Sequence, residues 1–163
     1  MKSEDEVSLC TLMVGEESFA IDTVKIREVL GAREIQRIPL APAYVAGVIR
    51  NRGEVLTTVS LRALLGFEER SGVSAVLVLE DADEDERFGL MVDAVNSVMT
   101  VGAATLEANP STLGARGKAL FDGAYKLPEG LMVRLDAAKL RPSRLKGVEL
   151  FRNERRKELE CAR

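Results

Sequence analysis

The acidic run Asp81-Ala82-Asp83-Glu84-Asp85-Glu86 places carboxylates at alternate positions, as the first ligands of a calcium loop require. Such a loop also needs glycine at its sixth position and a bidentate glutamate at its twelfth. Those positions hold Glu86 and Val92, so the run reads as a solvated hairpin tip. Its charge discourages edge-to-edge pairing with other strands. Gly114-Ala115-Arg116-Gly117-Lys118 invites a phosphate-loop reading. That pattern needs glycine where Thr112 stands and a hydroxyl where Ala119 stands, and it fails at both. Asp93 and Asp136 fall near strand ends and are the acids a carboxylate-dependent enzyme would use. Their spacing supplies no paired base.

The chain of 163 residues contains no histidine. Triad hydrolases, histidine metal sites and a histidine phosphoacceptor are thereby excluded. The two cysteines, Cys10 and Cys161, sit near opposite ends without metal-type spacing and are expected as free thiols. No metal or cofactor is implied. The net charge of −3 and the absence of tryptophan argue against a nucleic-acid surface. No apolar run approaches the ~20 residues of a membrane helix. The acidic start Met1-Lys2-Ser3-Glu4-Asp5-Glu6 is unlike a secretory leader, so a cytoplasmic protein without direct membrane insertion is expected.

The elements that position these residues are mostly short strands. Leu9 to Val14 and Phe19 to Ile21 form a hairpin across Gly15-Glu16-Glu17-Ser18. Val24 to Leu30 is an alternating strand interrupted by Glu28. Pro39 and Pro42 keep the following stretch irregular. Val45 to Ile49 and Glu54 to Val59 flank a turn at Arg50-Asn51-Arg52-Gly53. Ser60 to Gly66 reads as a short helix with Ser60 as N-cap and Gly66 after its C-terminus. Val73 to Glu80, Arg87 to Val92 and Val95 to Val101 continue as strands, and residues 108–117 are turn-rich. Leu120 to Leu127 and Leu131 to Leu135 make a last hairpin. Ser143 to Arg163 is expected to be a charged helix. The pattern is all-β, a barrel or sandwich, with a seam between two halves near 66–72. By themselves, Glu28 and Arg52 read as surface charges.

Several segments, in order, resemble the CheW family. Glu16 to Asp22 is similar to its early hairpin, with Ala20 where glycine is usual. Val24-Lys25-Ile26-Arg27-Glu28-Val29 resembles "KVxEI", and Arg37 to Ile49 follows "RIPxxPxxIxGVI". Arg50-Asn51-Arg52-Gly53 stands for "NLRG", and Val59-Ser60-Leu61-Arg62 for "VDLR". Phe88 to Val95 resembles "xGLxVDxV". Gly123-Ala124-Tyr125, Leu135-Asp136 and Leu140 resemble the last hairpin and its exit.

The resemblance implies two SH3-like five-stranded β-barrel subdomains, with swapped strands possible and a short connecting helix. They would fill residues 1–145, ahead of a helical tail at 146–163. It also implies a non-enzymatic chemotaxis adaptor in signal transduction. One surface would bind the regulatory domain of the chemotaxis histidine kinase, another the cytoplasmic tip of a chemoreceptor. Glu28 and Arg52 match functional positions of the family, and Val24 and Ile26 fall beside the apolar groove that takes the receptor helix. Gly47, Gly53 and Gly89 match family glycines expected to be structural. Two departures flank the expected receptor face. "NLRG" has gained Arg50 and Asn51, and "VPVVDLR" has lost its proline and aspartate. A diverged scaffold for another histidine-kinase pathway is the alternative reading.

Overall fold

The computed structural model describes residues 5–68, 74–81, 84–109 and 114–147. The predicted C-terminal helix falls largely outside them; the described chain ends in a 3₁₀ turn at Pro142–Gly147. Two sheets carry the fold. The strands are β1 (Glu6–Val14), β2 (Glu17–Asp22), β3 (Ile26–Leu30), β4 (Val45–Asn51), β5 (Glu54–Ser60), β6 (Ala75–Asp81), β7 (Glu84–Val92), β8 (Ala94–Gly102), β9 (Leu106–Glu107), β10 (Phe121–Leu127) and β11 (Gly130–Leu135). Two short helices join them, α1 (Leu61–Leu65) and α2 (Ala115–Leu120).

The first sheet has six strands in the order β8-β1-β2-β11-β10-β9, and the second has five in the order β3-β6-β7-β5-β4. Neighbours are antiparallel except β2 with β11 and β5 with β7. The first sheet exceeds the expected five strands because the two-residue β9 pairs with β10. The N-terminal hairpin β1–β2 joins the strands of the C-terminal half, so the chain enters the second sheet after β2 and leaves it after β7. The expected seam near 66–72 does not divide the sheets, since β5 and β7 on either side of it are direct neighbours.

Each sheet sends apolar side chains into clusters on both of its faces. Along β6 the run Ala75-Val76-Leu77-Val78-Leu79 is apolar throughout, and alternation explains why. Val76 and Val78 join Leu30, Ile49 and Leu56 in a small cluster belonging to the second sheet. Leu77 and Leu79 point the other way, into a core shared with Leu12, Val14, Phe19 and Ile21 of the first sheet. Leu9, Ala20 and Tyr125 form the first sheet's own cluster. Each fully buried Leu or Phe in the shared core contributes about 1.5–3 kcal/mol. The Phe19 and Phe121 rings stack there at 5.9 Å between centroids.

The structure adds elements that local pattern did not announce. Thr23–Lys25 is a 3₁₀ turn and not the start of a strand. The Asp22 carboxylate accepts from the Val24 N–H at 3.1 Å, which bends the chain before β3 begins. Helix α2 occupies the end of the turn-rich stretch. Leu120 anchors it in the core, and the Lys139 ammonium donates to the Lys118 and Phe121 carbonyls at 2.9 and 3.1 Å. That cation satisfies carbonyls a helix end leaves free.

Candidate functional site

The site is built on the second sheet where its two edges meet. β3 and β4 are the outermost strands of that sheet. Laid flat, five strands would hold the edges roughly 19 Å apart at the usual spacing of about 4.8 Å. Here they touch. Gln36, in the connection from β3 to β4, exchanges two backbone hydrogen bonds with Val48 of β4 at 2.8 and 2.9 Å. The sheet is therefore curled upon its own cluster of apolar side chains. Gly47 permits this closure: its φ is 149°, and a Cβ there would run into the Gln36 carbonyl oxygen.

The β4–β5 hairpin turns on Arg52 and Gly53, with φ of 50° and 80°. Two positive φ angles at the centre of a two-residue loop give the turn whose twist matches antiparallel strands. The turn aims the Arg52 side chain across the closed edge at Glu28 of β3. Arg52 Nε and Nη2 donate to the two Glu28 carboxylate oxygens at 3.3 and 3.2 Å. Asn51 Nδ2 donates to the same carboxylate at 3.1 Å. Glu28 is thus gripped by three donors of one hairpin, while the Arg52 side chain remains 75% exposed. The hydrogen bonds from Arg52 and then Asn51, with the nearby Arg33 charge, hold the Glu28 carboxyl below its ordinary pKa.

Read singly, Glu28 and Arg52 were two unrelated surface charges; the fold makes them one ion pair. Asn51 was missed as a member of the site. Its only sequence signal is that a polar residue stands where the resembling motif has leucine. Val24 projects from the 3₁₀ turn with 77% of its surface exposed, whereas Ile26 is half-buried and packs on the shared core. The apolar positions named from the sequence therefore differ in what they can offer a partner. Gly53 sits in open space and is required by its φ alone. Gly89 admits close packing, since a Cβ would meet Thr58 Oγ1 at 2.8 Å and Val76 Cγ1 at 2.9 Å.

The remaining candidates are held in structural contacts. Asp93 lies where the chain crosses between sheets. Its Oδ2 accepts from Arg62 Nη1 at 2.6 Å and from the Gly15 N–H at 2.7 Å. This ties α1 to the β1–β2 turn of the other sheet. Helix α1 is itself held by Ser60, whose Oγ accepts from the Ala63 N–H at 3.2 Å, and by Gly66 in a left-handed conformation. Asp136 accepts from the Ala138 N–H at 3.0 Å and shapes the turn after β11. Cys10 is a buried free thiol whose pKa burial pushes up. Among the described residues, no group of three or more His, Cys, Asp or Glu side chains is placed to hold a metal, and no helix is long and apolar enough to cross a membrane.

Comparison with known proteins agrees with this architecture. The model of the CheW-like domain family matches residues 8–144. A chemotaxis protein CheW of Rhizobium meliloti is 30% identical over 127 residues, covering 78% of this chain and 81% of that protein. A chemotaxis protein CheW of Treponema pallidum is 24% identical over 149 residues, covering 85% and 84%. The solved structure of a scaffolding protein CheW from Thermoanaerobacter tengcongensis superposes with a TM-score of 0.71 at 23% identity, covering 80% of this chain and 88% of that one. With most of its length matched in sequence and in strand arrangement, the chain belongs to the CheW-like domain family.

Proposed function

We propose that the protein is a non-enzymatic adaptor that couples chemoreceptors to a chemotaxis histidine kinase. It works in the cytoplasm and is recruited to receptor arrays at the membrane. The observation that carries this reading is the Glu28–Arg52 pair, joined by Asn51 across the closed edge of the second sheet. A rigid β-turn presenting an exposed guanidinium is suited to setting the register of a docked helix, with apolar contact supplying affinity. Val24 is exposed for such contact, whereas Ile26 packs on the shared core. An adaptor needs reversible interfaces and no reacting group, in keeping with a chain without histidine.

The kinase's regulatory domain and the receptor's cytoplasmic tip are the two partners. The experiment is reconstitution of the purified chain with each, wild type against Arg52→Ala. Retention of kinase binding with loss of receptor binding places the receptor site at this pair. If neither partner binds the wild-type chain, the reading fails. A second reading, a diverged scaffold for another histidine-kinase pathway, is favoured by Arg50 and Asn51 in place of the motif's residues. Binding of a kinase without any chemoreceptor would support it.

A further inference from the structure

Beside the closed edge runs a groove of about 540 Å³ lined by Arg33, Glu34, Gln36, Val48, Arg50 and Val55. Its position follows from the fold. The connection after β3 forms one wall, held to β4 by the Gln36–Val48 bridge, and the β4–β5 hairpin forms the other. Val55 stands opposite Arg50 in the hairpin register and is 63% exposed, an apolar surface left open to solvent. Neither Arg33 nor Arg50 has a carboxylate within salt-bridge distance among the described residues, although the Arg33 charge acts on Glu28 through space. Arginines elsewhere on this sheet are differently placed: Arg27, Arg52 and Arg87 each bind a carboxylate at 3.3 Å or less. Glu34 is the one acid lining the groove, against two cations.

We infer that this groove docks an acidic segment of a partner protein, with Arg33 and Arg50 binding its carboxylates and Val48 and Val55 an apolar side chain between them. Two guanidinium groups flanking a valine floor match a peptide in which acidic and apolar residues alternate. A nucleic-acid strand is a poorer match. No aromatic side chain lines the groove for base stacking, and Glu34 interrupts a phosphate track. Arg50 replaces the asparagine of the resembling motif, so the site is a property of this chain and does not depend on the coupling role proposed above.

The test is fluorescence anisotropy at low ionic strength. The probe is a labelled peptide of about ten residues alternating glutamate and valine, with a lysine–valine counterpart and an oligothymidylate of similar length as controls. The acidic peptide is expected to bind the wild-type chain. It should bind about tenfold more weakly to the Arg33→Ser/Arg50→Asn double variant, and more weakly as salt is raised. The lysine peptide should not bind. A thermal melt of the double variant establishes that it is folded, as removal of two exposed cations predicts. Absence of binding, or equal binding by both proteins, overturns the proposal. Tighter binding of the oligothymidylate with the same arginine dependence overturns it in favour of nucleic acid. Because Arg33 also acts on Glu28, the single variant Arg50→Asn is measured beside the double one, and kinase and receptor binding are tested separately by Arg52→Ala.

Discussion

Arg52 adopts a left-handed backbone with φ of 50°, a conformation that costs an arginine more than an asparagine or glycine. Retaining arginine there makes sense only through its side chain, which reaches Glu28 and still faces solvent. Arg52→Asn should therefore separate the two roles. Backbone strain is relieved as the ion pair is lost, so the melting temperature should hold or rise while partner binding falls. A drop in melting temperature would show that the ion pair outweighs the strain. The same variant has a pH signature. Glu28 in the folded chain has a pKa below its unfolded value, because Arg52 and Asn51 favour the charged form. Its stabilising contribution is thus fully present above the ordinary glutamate pKa of the unfolded chain and fades as pH falls through the lowered folded value. In Arg52→Asn the Glu28 carboxyl should titrate closer to that ordinary value, as NMR of the side-chain carboxyl would report.

At the scale of elements, the β3–β4 connection and β4 must approach more closely than a side chain allows. Gly47 and Gly53 separate two reasons for glycine. At Gly47 an added Cβ meets the Gln36 carbonyl oxygen, and φ is also unfavourable. At Gly53 only φ is at issue, for nothing lies within 4 Å. Gly53→Ala should cost about 1–2 kcal/mol, and Gly47→Ala more than about 3 kcal/mol, since the Gln36–Val48 bridge must shift as well. Urea denaturation of the two variants gives the order. Equal costs would mean that the connection moves aside freely and does not fix the sheet closure. The four-strand ladder on the same sheet behaves differently. Arg27, Glu80, Arg87 and Glu54 link β3, β6, β7 and β5 through pairs of 2.7–3.3 Å, but all are partly exposed and individually worth little.

At the scale of the whole molecule, the sheets are joined by the shared core and by the Arg62–Asp93–Gly15 contact. The Arg62 and Asp93 side chains are each only 16% exposed, so removing one leaves the other poorly solvated. Asp93→Ala should destabilise the protein by about 3 kcal/mol, as measured by chemical denaturation. An unchanged denaturation midpoint would return Asp93 to the list of acids free for chemistry. Because β1–β2 and β10–β11 lie in one sheet, the two ends of the domain depend on each other. The second sheet is the insertion between them.

What the sequence determined by itself was local. Short apolar runs bounded by turn residues marked most strands, Ser60 and Gly66 bounded α1, and glycine with prolines marked the turns. Ordered motifs from the N-terminal hairpin to Leu140 were enough to name the family. The tertiary structure alone decided which strands are neighbours, since pairing in a sheet joins residues far apart in the chain. It moved the division between sheets away from 66–72 and turned Val24 out of its strand. It also brought Glu28, Asn51 and Arg52 together: 23 residues separate Glu28 from Asn51, and no local pattern spans that interval. Only a sheet curled until its edges meet brings an acid on β3 within reach of a turn beyond β4. That curl is set by the volume of Leu30, Ile49, Leu56, Val76 and Val78 packed inside it.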